Sequence, residues 1–444
     1  MKVIHALGWY FPDSMGGTEV YVSQLVAQLR KQGIDNVIAA ARDGYEDETY
    51  IHEGTEVFRY PVHPSPSQQQ VRGAVPYGGF DQFVSWLSKQ SADVYHQHSM
   101  VGGCGIHHLQ AARKLGLRTV VTVHLPGAIC LRGTMMLYGS SACDGHVEIV
   151  RCGVCWAMSK GLTRPLASVA GRFPRRFSEG FQRIERRGLS VLATSSLVDS
   201  RLRQMRELSG LADRTVAIAQ WIFDALIANG FDRDKLVLSH SGGPTEPANK
   251  TKAQRARAGG GPLKIGFLGR LVRVKGLDVL IRAFQKLPAN LGIELLIYGI
   301  SNDSEERAYE NNIRQLANRD SRIRFMEPVT QENLRTTLKR FDLLAIPSQG
   351  METGPLVLLE SFAAGVPVIA SNLGGIAERV RDRRDGWLVK CDDVREWSAA
   401  LERLANDRAL VDSLRENIQE IRTMETVASE MATIYREALS TQSR

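Results

Sequence analysis

Two carboxylates, Glu352 and Glu360, are separated by seven residues in Met351-Glu352-Thr353-Gly354-Pro355-Leu356-Val357-Leu358-Leu359-Glu360. One could face a sugar while the other accepts hydrogen bonds from two ribose hydroxyls. Thr353 suits an N-cap, and Pro355 suits a first helical turn because its φ is already helical and no N–H is missed there. The spacing therefore predicts a helix from about Gly354. Its first N–H groups lack intrahelical partners and carry the positive end of the dipole, so they hold phosphate or sugar oxygens without a metal. A second candidate is the pair Gly16-Gly17, which follows the apolar run 2–7 and precedes a helix from about Thr18. Glycines there let a ligand approach the backbone closely. His96 and His98, at the end of a short apolar run, are candidates to line an acceptor pocket, with structural histidines as the alternative. Cys130, Cys143, Cys152 and Cys155 form the pattern C-x12-C-x8-C-x2-C, with His146 inside it. Four thiols so close together suit a structural zinc site or an iron–sulfur cluster better than a disulfide framework in a cytosolic chain, and four ordinary loop cysteines are the alternative.

The elements that must position these residues form an alternating pattern. Apolar runs at 2–7, 37–41, 56–60, 93–98, 119–124 and 191–196 read as strands of a first half. Runs at 263–268, 293–299, 322–326, 342–347 and 385–389 read as strands of a second half. Helical stripes separate them, for example Val22, Leu25, Val26 and Leu29, or Leu277, Leu280, Ile281, Phe284 and Leu287. Strands alternating with helices predict βαβ units and parallel sheets, with ligands at the carboxyl ends of the strands. The polar, glycine-rich run 245–262 cannot pack a core and separates the halves. The expected organisation is a domain over 1–244 with a cysteine-rich insertion at 125–160, a linker over 245–262, a second domain over 263–424, and a helix over 425–444 that packs back on the first. The Pro-, Ser-, Gln- and Gly-rich run 61–79 reads as a loop.

Composition narrows the classes. A chain of 444 residues with 43% hydrophobic and 23% charged residues suits a globular protein of two or three domains. No apolar run approaches the ~20 residues that span a bilayer, and the N-terminus reads as a core strand rather than a leader, so a cytoplasmic location is expected. The net charge of +8 is moderate, but arginine is dense between Arg172 and Arg206. There Arg172, Arg175, Arg176, Arg183, Arg186 and Arg187 alternate with Phe173, Phe177, Phe181 and Ile184, which reads as a basic amphipathic surface for an anionic membrane or as a solvated helix face. No signature favours nucleic acid.

Gly269-Arg270-Leu271-Val272-Arg273-Val274-Lys275-Gly276, the Glu352–Glu360 element and Ala363-Ala364-Gly365-Val366-Pro367-Val368-Ile369-Ala370 together resemble the C-terminal half of retaining GT-B glycosyltransferases of family 4. The resemblance extends over nearly the whole chain. It implies an α/β GT-B fold, two Rossmann-like domains facing a central cleft, with the nucleotide sugar held mainly by the second. It implies that Arg270 and Lys275 hold the diphosphate, that Glu352 holds the donor sugar with His124 opposite, and that Glu360 takes the ribose hydroxyls. Gly16, Gly17, Gly354, Pro355 and Leu356 then lie against the donor. The family's aspartate after the histidine is replaced by Leu125, which argues against a simple proton relay there.

The function implied is transfer of a sugar, with retention, from a nucleoside diphosphate (UDP or GDP foremost) to a glycan or lipid-linked acceptor, in cell-surface polysaccharide or glycolipid synthesis. No catalytic metal is expected, since no Asp-x-Asp pair sits at a plausible donor site. A location at the inner face of the membrane fits the basic stretch. The alternatives are a sugar-nucleotide epimerase on the same fold and a catalytically idle, metal-stabilised membrane-docking module.

Overall fold

The computed structural model describes residues 1–440 except 15, 64, 72, 99, 102, 175–177, 179–190, 192 and 245–260. These residues form two compact units, Met1–Ser241 with Met424–Arg444, and Gly242–Thr423. Each is built on a sheet with helices, as the alternation of apolar runs with helical stripes requires.

Apart from a small two-stranded ribbon of Met136–Leu137 with Ser141–Ala142, eight strands of the first unit form one sheet among the described residues. They are β1 (Lys2–Leu7), β2 (Asp35–Asp43), β3 (Glu48–His52), β4 (Thr55–Val62), β5 (Val94–Gln97), β6 (Arg118–Val123), β7 (Arg214–Ala217) and β8 (Leu236–Leu238), in the order β8-β7-β6-β5-β1-β2-β4-β3. All pairings are parallel except β3 with β4. The central strands are buried almost end to end, as expected for a parallel sheet covered on both faces. The helix Met424–Ser440 lays Val427, Ala428, Met431, Ala432 and Tyr435 into the same core as Val22, Leu25 and Leu29 of the helix Gly17–Lys31.

The second unit holds β9 (Leu263–Arg270), β10 (Ile293–Ile300), β11 (Ile323–Phe325), β12 (Leu343–Ile346), β13 (Val368–Ser371) and β14 (Gly386–Val389), in the order β11-β10-β9-β12-β13-β14, all parallel. Trp397, Phe284 and Leu280 are fully buried in the core on one face of this sheet.

In each sheet the chain works outward from its first strand and then returns to that strand's other side. The switch points are β1/β5 and β9/β12. Loops leaving such a pair diverge and open a crevice at the carboxyl ends of the strands. The Gly16–Gly17 loop leaves β1, and the segment carrying His98 leaves β5. In the second unit Arg270 to Lys275 leaves β9, and Pro347 to Pro355 leaves β12.

Two glycines let the loop after β12 sit where it does. Gly276 has φ +68, and a Cβ there would lie 1.9 Å from Pro347 O. The same two loops are joined by Gln349 N–H donating to Val274 O at 2.7 Å. On the other side a Cβ on Gly375 would lie 2.6 Å from Gly354 N, and Gly375 N–H donates to Glu352 O at 2.7 Å. Backbone meets backbone on both flanks, which a side chain at either glycine would prevent.

Several local expectations are corrected. The run Val191–Ser196 is not a strand: the helix Thr194–Leu211 already includes its second half. Buried Thr and Ser hydroxyls there bond to backbone, Thr194 to Val191 O and Ser196 to Ala193 O, in place of ladder pairing. The 61–79 run is not all loop, because β4 continues to Val62 and Gln68–Val71 forms a helical turn. Of the proposed linker, 245–260 lies outside the described residues. So do Arg175, Arg176, Arg183, Arg186, Arg187, Phe177, Phe181 and Ile184 of the basic stretch.

Candidate active site

The clamped loop after β12 presents Glu352. Its carboxylate receives Lys275 Nζ at 2.7 Å and the hydroxyl of Ser348. Lys275 ends the short 3-10 turn Arg273–Lys275 that leaves β9, so the pair joins the two loops of the switch point. Both are partly buried, where an ion pair is screened less than at the surface. The helix that follows begins at Leu356, with Pro355 as N-cap, not at Gly354. Thr353 makes no cap. Gly354, at φ +104, breaks the helical path before Pro355, and a Cβ there would meet Arg379 Nε at 2.3 Å. Gly354, Pro355 and Leu356 thus form the turn into the helix, with the Arg379 guanidinium packed against it. Burial lowers the Arg379 pKa to about 10.

Glu360 lies one turn further along, on the side of the helix toward Gln331, whose Nε2 donates to its Oε1 at 3.2 Å. Burial pushes the Glu360 carboxyl above its usual range, and the Gln331 bond partly opposes that. Glu352 and Glu360 therefore have different environments, one held by a cation and the other by an amide. Two carboxylates separated in this way can take different hydroxyls.

Arg270 reaches the same strand end, but its guanidinium pairs with the buried carboxylate of Glu306. Glu306 is fixed in turn, its other oxygen accepting from Asn302 N–H at 2.7 Å and its own N–H donating to Asp303 at 2.8 Å. Glu306 and Ser348 are the site neighbours that sequence reasoning missed. The Asp303-Ser304-Glu305-Glu306 spacing, a helix-start signature, was the available signal for the first; nothing marked the second.

In the first unit Gly16 is the N-cap of the helix Gly17–Lys31, one residue earlier than expected. The buried carboxylate of Glu19 folds back over this helix end, where it accepts from Ser14 Oγ at 2.6 Å. His124 follows β6 and packs edge-on against Tyr21 of that helix, with ring centroids 4.7 Å apart. Leu125 beside it is half exposed.

His96 and His98 do not line an open pocket. Both are buried, and their ring nitrogens are engaged: His96 Nδ1 with Tyr435 OH at 2.7 Å, His96 Nε2 with Thr122 Oγ1 at 2.8 Å, and His98 with His5 and His124. The polar ends of parallel strands turned inward here because neighbouring strands supply partners.

Cys130, Cys143, Cys152 and Cys155 line one cavity with His146, Met135 and Met136, and none is in a disulfide. Cys155 Sγ accepts from Tyr138 N–H at 3.2 Å, and Cys152 Sγ from Glu148 N–H at 3.4 Å. Burial pushes the Cys152 thiol up to about 11. Among the described residues, the only His, Cys or carboxylate trio whose ligand atoms lie within 4.8 Å of one another is His5, His96 and His98.

Residues 16–242 match the glycosyl transferase 4-like domain, and residues 249–421 match glycosyl transferases group 1. The first match alone covers half of the chain. The chain belongs to the GT-B glycosyltransferases of family 4. Among curated proteins, this glycosyltransferase is 32% identical over 217 residues to a D-inositol 3-phosphate glycosyltransferase of Mycobacterium marinum, covering 44% of this chain and 46% of that protein. It is 26% identical over 419 residues to the protein of the same name from Nocardioides sp., covering 85% and 88%. For the first of these the matched stretch spans about half the relative's length. Among solved structures, sucrose-phosphate synthase of Thermosynechococcus elongatus aligns with TM-score 0.66 at 19% identity, covering 99% and 100% of the two chains. Anabaena Alr3699/HepE, in complex with UDP and glucose, aligns with TM-score 0.61 at 16% identity, covering 98% of each. At these identities the structures attest to the fold, two Rossmann-like domains.

The buried histidines give this glycosyltransferase a signed pH dependence. Burial lowers the His5 pKa to about 4 and that of His124 to about 3. The unfolded rings titrate near 6.5, so below that pH the unfolded chain binds more protons than the folded one. Stability is then fully present above pH ~6.5 and falls as pH drops toward the folded values, by on the order of 1 kcal/mol per pH unit for each ring. The thermal unfolding midpoint should fall by several degrees between pH 7.5 and 5.5 in scanning calorimetry. A flat midpoint over that range would show that the folded rings titrate as they do in the unfolded chain.

Proposed function

We propose that this protein transfers a sugar from a nucleoside-diphosphate donor to a glycan or lipid-linked acceptor, with retention at the anomeric carbon and without a catalytic divalent ion. In this reaction the bond from the anomeric carbon to the β-phosphate oxygen breaks and the oxygen keeps the electron pair. A hydroxyl oxygen of the acceptor bonds to that carbon and loses its proton. The observation that carries the reading is the Lys275–Glu352–Ser348 cluster at the β9/β12 switch point, beside the Gly354–Leu356 turn. Negative charge grows on the departing diphosphate, and a fixed cation together with helix N–H groups stabilises it. Lys275 and Arg270 supply the cations, the turn supplies N–H groups, Glu352 orients the donor sugar and Glu360 takes the ribose hydroxyls. Gly16 and Gly17 bring backbone near the donor, and His124 takes a sugar hydroxyl. Relatives named for glycosyl transfer to an inositol phosphate, and fold neighbours holding UDP or UDP-glucose, support a nucleotide-sugar donor with UDP foremost. The place of action is cell-surface polysaccharide or glycolipid synthesis at the cytoplasmic face of the membrane.

Two accessory readings accompany this one. The cavity lined by Cys130, Cys143, Cys152 and Cys155 supports a structural zinc ion or iron–sulfur cluster. Burial pushes the Cys143 and Cys152 thiols up, and these would ionise on binding it. The helix Arg164–Gly171 exposes Leu166 by 61% and Val169 by 69% between Arg164 and Arg172. Apolar side chains flanked by arginines support contact with an anionic membrane. No helix among the described residues is long and apolar enough to cross a membrane.

The central test is release of nucleoside diphosphate from a panel of UDP-, GDP- and ADP-sugars, with D-inositol 3-phosphate and glycan acceptors in parallel. Turnover of one donor should fall at least ~100-fold in Glu352→Ala and Lys275→Ala. Turnover unchanged in Glu352→Ala would overturn the site assignment. Metal analysis and visible absorption of protein purified without affinity metal should find about one zinc ion or one cluster per chain, lost in Cys152→Ser/Cys155→Ser; metal-free, folded protein would remove that reading. Flotation with phosphatidylglycerol vesicles should exceed that with phosphatidylcholine vesicles and drop in Leu166→Glu/Val169→Glu. Equal flotation on both lipids would remove the membrane contact.

A further inference from the structure

Four buried polar residues of the first unit form one unbranched hydrogen-bonded chain. Asn36 Nδ2 donates to Ile34 O at 2.7 Å. Asn36 Oδ1 meets His5 Nε2 at 2.9 Å, His5 Nδ1 meets His98 Nε2 at 3.0 Å, and His98 Nδ1 meets His124 Nε2 at 3.2 Å. The residues come from β2, from β1, from the end of β5 and from the end of β6. Asn36, His5, His98 and His124 are all less than 9% exposed.

The direction of every bond in this chain follows from its first member. A backbone carbonyl only accepts, so the Asn36 amide nitrogen must point at Ile34 and its oxygen must point at His5. That oxygen only accepts as well, so His5 Nε2 carries the proton. A neutral imidazole has one N–H, so His5 Nδ1 is a bare lone pair and His98 Nε2 must donate to it. By the same step His98 Nδ1 is bare and His124 Nε2 donates. The sequence of forced choices ends at His124 Nδ1, a lone pair.

We propose that Asn36, His5 and His98 are positioning residues that lock His124 in the Nε2–H tautomer, with Nδ1 as a fixed hydrogen-bond acceptor at the carboxyl end of β6. Burial holds all three rings neutral at pH 7. An acceptor in that place binds an O–H, as on a sugar, and cannot donate to a phosphate oxygen. It also cannot act as an acid. This second step rests on the glycosyltransferase reading; the tautomer does not. The nearby trio His5, His96 and His98 has metal-like proximity, but all six of its ring nitrogens already have hydrogen-bond partners, and among the described residues no carboxylate joins the group. The chain uses the ring nitrogens of His5 and His98 fully, and Tyr435 and Thr122 take those of His96, so a dication would break these bonds.

The test is long-range 1H–15N correlation on full-length protein labelled at histidine ring nitrogens, at pH 7, with signals assigned by His5→Gln, His98→Gln and His124→Gln. His5, His98 and His124 should each show a protonated Nε2 and an unprotonated Nδ1. A protonated Nδ1 or an imidazolium at His124, or a stoichiometric metal on His5 and His98, would overturn the proposal. This readout stands even if no donor of the panel reacts. Where a donor does react, His98→Leu should lower kcat/KM about tenfold, the equivalent of one net hydrogen bond. His98→Gln, which offers both a donor and an acceptor, should recover most of it. If Leu and Gln behave alike, the chain does not position His124.

Discussion

The loop from Pro347 to Pro355 is held by backbone contact on both flanks, and the candidate chemistry of the second unit hangs on that contact. Gly276 admits Pro347 O on one side, and Gly375 admits the Thr353–Gly354 peptide on the other. Between these two points Glu352 has little freedom, so Lys275 and Ser348 can reach it without ordering a mobile segment first. A loop fixed by its own backbone keeps an electrostatic site preorganised, which is where fixed charges act most strongly on a developing charge.

Charges in this site are balanced within the protein. Lys275 is matched by Glu352 and Arg270 by Glu306, so the crevice end of β9 carries no surplus of positive charge from these four groups. A diphosphate would be attracted by directed donors and the helix end more than by net field. The first unit follows a similar logic at the helix Gly17–Lys31, where the Glu19 carboxylate covers the positive helix end. Its buried histidines are neutral and linked, so polarity there is used to set direction rather than charge.

Much of the architecture was legible in the sequence. Apolar runs gave β1, β2, β4, β5, β6, β9, β10, β12 and β14, because strands buried on both faces leave unbroken hydrophobic segments. Reading failed where the local signal was ambiguous. Val191–Ser196 has strand-like composition, yet serine and threonine hydroxyls satisfied a helix start instead. Thr353 as a cap and Pro355 in the first turn promised a helix from about Gly354, yet positive φ at Gly354 delays the helix to Leu356.

The sequence by itself determined the alternation that specifies two Rossmann-like sheets, and it placed Gly16–Gly17, His124, Arg270–Lys275 and Glu352–Glu360 at strand ends. These are properties of short windows: periodicity, punctuation and residue type. Tertiary structure alone decided the partners. Glu306 faces Arg270 across 36 positions, Lys275 faces Glu352 across 77, and His5 faces His98 across 93. Such pairings depend on which strands become neighbours when the chain returns to the middle of its sheet, and no local window carries that information.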